Sequence, residues 1–156
     1  MSWLRAGSAN APNKIPARQI VCRDGSKPRI LFAEDSDAAR TLTAALLTKM
    51  GCEVDAVEHG EHALIHASEH TYDLILLDIE MPVMDGVCAA RKIRELGGAP
   101  AHVPIMALSA FLADTAKVGS IREEFDLALA KPAGREALHD AIQTMLDGNC
   151  DRPAAT

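Results

Sequence analysis

Four short apolar runs in this chain each end on a residue able to do chemistry. RILFA leads into Glu34-Asp35, YDLILL into Asp78, VPIMAL into Ser109 and LALA into Lys131. Carboxylates and hydroxyls often follow strands as turn formers and helix caps. Their coincidence at four run ends is what points to a site. Three carboxylates against one ammonium leave a charge near −2. Like charges a few ångströms apart repel, more so when buried. A hard divalent cation relieves that repulsion, and Mg²⁺ suits a site with few carboxylates, some waters and a phosphate oxygen. The residues therefore predict a Mg²⁺ site that accepts a phosphoryl group. A carboxylate would be the acceptor, the cation would neutralise the charge, and Lys131 would hold the phosphoryl oxygens.

These groups meet only if the runs are strands of one sheet. Each run is followed by a stretch with helical spacing: SDAARTLTAALLTKM (Ala39, Leu42, Leu46 and Met50 on one face, Gly51 as stop), GEHALIHASEH, GVCAARKIREL and GREALHDAIQTML. A fifth run, CEVDAV, is unremarkable at its end, Val57-Glu58-His59. A short helix is expected near Asp114–Ser120. Strands alternating with helices predict an α/β fold, a parallel sheet covered on both faces, and the continuous apolar strands fit it. Ligands in such sheets bind beyond the C-terminal strand ends, where all four polar groups fall.

Composition narrows the class. The chain has 156 residues, 48% of them apolar, enough for one domain with a sizeable core and too apolar for disorder. Residues 1–27 carry net +4, so the rest carries −10 of the total −6. An acidic body repels phosphates, which argues against nucleic acid as a partner. No apolar run approaches the roughly 18 residues of a membrane span, and the start lacks a secretory signal. The four cysteines have no zinc-site spacing and read as reduced thiols of a cytoplasmic protein. Residues 1–27, with Pro12 and Pro16, read as a basic flexible extension, 28–147 as the domain and 148–156 as a tail.

AED at 33–35, DIEMPVMDG at 78–86, ALSA at 107–110 and AKP at 130–132 resemble the receiver domain of two-component response regulators. The likeness runs from about Arg29 to Leu146. It implies the flavodoxin-like (βα)5 doubly wound sheet with strand order 2-1-3-4-5, for which general descriptions of this fold already cite a receiver protein. It also implies roles. Asp78 would be the phosphoacceptor, Asp35 the direct Mg²⁺ ligand and Glu34 an acid acting through bound water. The backbone carbonyl of Glu80 would be a further ligand. Ser109 would turn its hydroxyl to the phosphoryl group, and Lys131 would ion-pair with it beside a cis bond to Pro132. The implied function is a stand-alone receiver that takes phosphate from a histidine kinase or histidine phosphotransfer protein. It would signal by protein contact, as a monomer or weak dimer, catalysing only its own phosphorylation and dephosphorylation.

The chain departs from the family pattern at three places. Ala128 stands where many receivers carry an aromatic switch residue, Ala133 follows Lys-Pro where Phe is common, and REEFDLALA lacks the usual Gly before the fifth strand. Glu80 and Phe111 would flank the path of a hydrolytic water, and Phe111 would slow phosphate loss. His62, His66 and His70, four apart, form a helix face whose spacing could also bind a transition metal. Competing functions are an aspartate-nucleophile phosphatase, for which Glu80 replaces the needed Asp, a receiver-like scaffold that takes no phosphate, and a receiver cut from a hybrid histidine kinase.

Overall fold

The computed structural model describes residues 19–110 and 124–149. Five strands, β1 (Arg29–Ala33), β2 (Glu53–Val57), β3 (Leu74–Asp78), β4 (Ile105–Ser109) and β5 (Leu127–Ala130), form one sheet in the order β2-β1-β3-β4-β5. Every neighbouring pair is parallel. Four α-helices are described, α1 (Asp37–Lys49), α2 (Gly60–Glu69), α3 (Gly86–Glu95) and α4 (Arg135–Asn149), with one 3-10 turn at Ala99–Ala101. This is the flavodoxin-like 2-1-3-4-5 arrangement. The short helix expected at 114–120 lies outside the described residues.

Strand side chains alternate between two apolar layers. Leu31, Ala33, Ile75, Leu77, Ile105 and Ala107 face Ala63 and Ala67 of α2 and Ala89, Ala90 and Ile93 of α3. Their neighbours Ile30, Phe32, Leu74, Leu76, Met106 and Leu108 face Leu47 of α1 and Leu138, Ile142 and Leu146 of α4. All five residues of β3 and of β4 are buried. With both faces covered, these strands must be apolar throughout, and only their last residues can be polar.

Helix ends follow local chemistry. Ser36 caps α1, its hydroxyl accepting the Ala39 N–H at 3.2 Å. Asp37 and Lys49 sit at the ends where the helix dipole favours their charges. Gly51, at φ +97°, turns the chain out of α1 in a conformation that side-chain-bearing residues rarely adopt. The face expected for α1 is rotated. Leu42 is 64% exposed, whereas Leu47 is fully buried and Leu46 and Met50 pack beside it. Leu42 fits the helical period but stays exposed.

The extension expected over residues 1–27 needs correction for its last part. Ile20 is 1% exposed and packs in the α1/α4 layer, and its N–H donates to the Met50 carbonyl at 2.7 Å. Gln143 of α4 grips Val21 from both sides, accepting its N–H at 3.3 Å and donating to its carbonyl at 2.9 Å. The apolar run Ile20-Val21-Cys22 is too short to show a period, so the burial of Ile20 is decided by the tertiary gap it fills. Burying it is worth roughly 1.5–3 kcal/mol. Residues 1–18 and 150–156 lie outside the described part.

Candidate functional site

Parallel register brings the polar strand ends together. Ala33 pairs with Leu77, so Glu34 emerges beside Asp78, and Ser109 pairs with Ala130, so Lys131 emerges beside Ser109. Glu34 and Asp78 are 2% and 1% exposed. The Lys131 ammonium lies between them, 2.9 Å from Glu34 Oε1 and 3.3 Å from Asp78 Oδ1. The second Glu34 oxygen accepts the Ser36 N–H at 3.1 Å, and Arg40 holds the Glu34 carbonyl at 2.9 Å. Asp35 is exposed. It shares a group with Glu34 and Asp78 in which one carboxylate oxygen from each lies within 4.8 Å of the others.

One ammonium does not balance two buried carboxylates. Burial, and then the charge of Glu34, push Asp78 up to about 7. Burial also acts on Glu34, but the Lys131 hydrogen bond, the Ser36 N–H and the Lys131 charge outweigh it and hold Glu34 below the usual carboxylate range. Burial opposes the charge of Lys131, yet its hydrogen bond to Glu34 and the charge of Asp78 raise it overall. The ammonium is committed to Glu34, and Asp78 remains the under-compensated charge. Three oxygen donors around such a charge fit a hard divalent cation.

The turn after Asp78 is tightly tied. Ile79 donates to the Leu108 carbonyl at 2.8 Å and Gly86 to the Ile79 carbonyl at 3.0 Å. Asp85 then caps α3 by accepting the Cys88 N–H at 2.8 Å. A Cβ on Gly86 would collide with the Asp78 carbonyl oxygen, so only glycine lets α3 begin this close to β3. Val83, at φ 69°, stands 89% exposed at the tip of this turn.

Glu80 does more than its backbone suggested. Its N–H donates to Asp78 Oδ1 at 3.3 Å. Its carboxylate spans the mouth of the site, accepting the Ser109 hydroxyl at 2.9 Å and the Ala110 N–H at 3.2 Å. The hydroxyl expected to meet a phosphoryl group is thus turned to a carboxylate. The sequence signal was the acidic residue two positions after Asp78, read there for its carbonyl and for its place beside a hydrolytic water, not as a partner of Ser109.

The structure brings Glu34, Asp35, Asp78, Glu80, Ser109 and Lys131 to one rim, and the Lys131–Pro132 bond is cis. Ala128 packs half-buried against the α2/α3 layer, with no ring at that position. Phe111 lies outside the described residues. The histidine row on α2 is divided. His66 Nδ1 is 3.4 Å from the Tyr72 hydroxyl, whereas His62 stacks on His59, ring centres 4.0 Å apart.

The parallel α/β sheet carries carboxylates, a hydroxyl and an ammonium at one rim, donors for a cation beside a group that can pair with an anion. The chain belongs to the response regulator receiver domain family, whose model matches residues 30–143. It is 34% identical over 118 residues to the gliding motility regulatory protein of Myxococcus xanthus, a match covering 75% of this chain and 15% of that protein. It is 35% identical over 117 residues to the sensor protein GacS of Pseudomonas syringae pv. syringae, covering 74% and 13%. The chain thus corresponds to about one-seventh of the length of these relatives. Among solved structures, it resembles the receiver domain of sensor histidine kinase PA1611 from Pseudomonas aeruginosa PAO1, which has magnesium coordinated in its active site cleft. That likeness has a TM-score of 0.72 and 32% identity, covering 78% of this chain and 98% of that one. The carboxylate group here offers oxygen donors of the kind such a cation takes, and the chain is a receiver domain of two-component signalling. Among the described residues, no helix is long and apolar enough to cross a membrane.

Proposed function

We propose that this domain accepts a phosphoryl group on Asp78 from a histidine kinase or histidine phosphotransfer protein and signals by contacts that depend on that modification. The observation that carries the reading is a buried, under-compensated Asp78 set among Lys131, Asp35 and Glu34 at the sheet's rim. In the transfer, an Asp78 carboxylate oxygen bonds to phosphorus as the phosphorus–nitrogen bond of the donor breaks. The electron pair returns to the imidazole, which takes a proton from solvent. Asp35, Asp78, the Glu80 carbonyl and, through water, Glu34 would hold Mg²⁺, which supplies positive charge opposite the transferring oxygens. Lys131 would leave Glu34 for the phosphoryl group, and Ser109 would exchange its carboxylate partner for a phosphoryl oxygen.

Two settings suit this role, a receiver acting alone and a receiver carried by a larger kinase. The second draws support from the likeness to the sensor protein GacS and to the receiver domain of sensor histidine kinase PA1611. The size of the native polypeptide in its cells of origin, read by immunoblot, separates them. The reading itself is tested by incubating the chain with acetyl phosphate and Mg²⁺ and weighing the intact protein. One phosphoryl adduct is expected on the native chain and none on Asp78→Asn. Labelling of Asp78→Asn at the native rate, or continuous turnover of a small phosphate ester without an adduct, refutes it.

A further inference from the structure

Beside the carboxylate rim, at the end of β2, lies a second group of donors with a different chemistry. Glu58 follows the last strand residue, His59 is the residue before α2, and His62 lies in that helix's first turn. One donor atom from each is within 4.8 Å of the others. His59 occupies the position where a side chain usually caps the helix, yet makes no capping hydrogen bond. Its Nδ1 is buried without a hydrogen-bond partner among the described residues. A buried imidazole nitrogen left bare is costly, and an ion or a water is the usual explanation. The stacked His59 and His62 rings, tilted by 32°, bring two imidazoles to the same exposed carboxylate.

We propose that Glu58, His59 and His62 form a site for a zinc-class divalent ion, distinct from the Mg²⁺ site. Two imidazoles and one carboxylate are a common first set for Zn²⁺, with water completing the coordination, whereas Mg²⁺ prefers oxygen donors alone. Donors at about 2.0–2.1 Å from a tetrahedral ion stand about 3.3 Å apart. The present group closes to that spacing by side-chain rotation, which the exposed Glu58 and His62 permit. The helical spacing of His62, His66 and His70 is not the ligand set, because His66 is engaged toward Tyr72.

The test is a titration of the tag-free, metal-stripped chain with Zn²⁺ against a chromophoric chelator, in excess Mg²⁺ to fill the carboxylate rim. One Zn²⁺ per chain is expected. His62→Gln, a change at an exposed side chain, should weaken binding by at least the roughly 10- to 100-fold that losing even an outer partner costs a metal site. Glu58→Gln and His59→Gln should weaken it too, and His70→Gln should leave it unchanged. Co²⁺ at the site should show ligand-field bands without thiolate charge transfer. No Zn²⁺ uptake, undiminished affinity in His62→Gln, equal loss in His70→Gln, or a thiolate band would each overturn the assignment.

Discussion

Asp78→Asn should make the metal-free protein more stable, although it removes a charge that touches Lys131. Burial and the neighbouring Glu34 move the Asp78 carboxyl from an ordinary 3.8 to about 7. That displacement disfavours the native charged form by an amount on the order of 4 kcal/mol, since each tenfold change in proton affinity is about 1.4 kcal/mol. Relaxation and water entry reduce it, so about 2–4 kcal/mol is expected. The sign follows from the folded value lying above the unfolded one. Native protein holds the proton more tightly, so the stability present below the unfolded value is lost as pH rises through about 7. Asparagine has no proton to lose there. Lys131 keeps its 2.9 Å partner Glu34, so the substitution strands no ammonium.

The assay is thermal unfolding in EDTA. At about pH 8 the variant should melt roughly 6–12 °C higher, at about 3 °C per kcal/mol for a domain of this size. Near pH 5 the gap should fall below half, because the native Asp78 is then protonated. Mg²⁺ should raise the midpoint of the native chain more than that of the variant. A variant no more stable at pH 8, or a gap that survives acidification, refutes the account of Asp78 as an under-compensated buried charge.

Three further outcomes are expected. Glu80→Ala frees the Ser109 hydroxyl and Ala110 N–H from the carboxylate that holds them. A charge-assisted hydrogen bond of about 1.5 kcal/mol corresponds to roughly tenfold faster labelling by acetyl phosphate, and an unchanged or slower rate in stopped time courses counts against a blocking role. The chain's one tyrosine, Tyr72, should resist ionisation. Burial, then the hydrogen bond to Asp55 at 2.6 Å and that residue's charge, raise it well above 10. Its stabilisation is present below the unfolded value of about 10 and lost only as pH rises through the higher native one, so tyrosinate absorbance should appear late in an alkaline titration and earlier in Asp55→Asn. Ile20→Ala should cost about 2–4 kcal/mol in urea unfolding, as emptied core sites do, and a loss under about 0.5 kcal/mol would mean that residues 19–27 do not belong to the core.

What could be read from the sequence was whatever short-range chemistry decides. A strand buried on both faces has to be apolar until its last residue, so the polar residues after RILFA, YDLILL, VPIMAL and LALA marked the rim. DIEMPVMDG encoded a tight turn closed by Gly86, where any Cβ would run into the Asp78 carbonyl oxygen. What could not be read depended on distant neighbours. Nothing around Ile20 repeats, and its burial needs the gap between α1 and α4. Leu42 obeys the helical period yet faces out, because period specifies a stripe and not how far the sheet covers it. His59 ended an unremarkable strand, and its partner His62 belonged on paper to a row down α2. The first turn of that helix brings the two rings together instead.

The same dependence on neighbours bears on how a receiver without a ring at 128 could respond to phosphate. Ala128 sits half-buried in β5 and has no χ angle to rotate. The side chain that spans from the acceptor turn to β4 is that of Glu80, whose two oxygens occupy the Ser109 hydroxyl and the Ala110 N–H. Under the proposed function, a phosphoryl group on Asp78 would offer those donors a better acceptor and repel the Glu80 carboxylate. Both forces would push Glu80 off Ser109 and draw Ser109 inward. Its carbonyl is hydrogen-bonded to the Lys131 N–H at 2.9 Å, and it pairs with Ala130 across the sheet. Any displacement of Ser109 is therefore delivered to the β4–β5 edge through the backbone ladder, with no aromatic side chain needed to carry it.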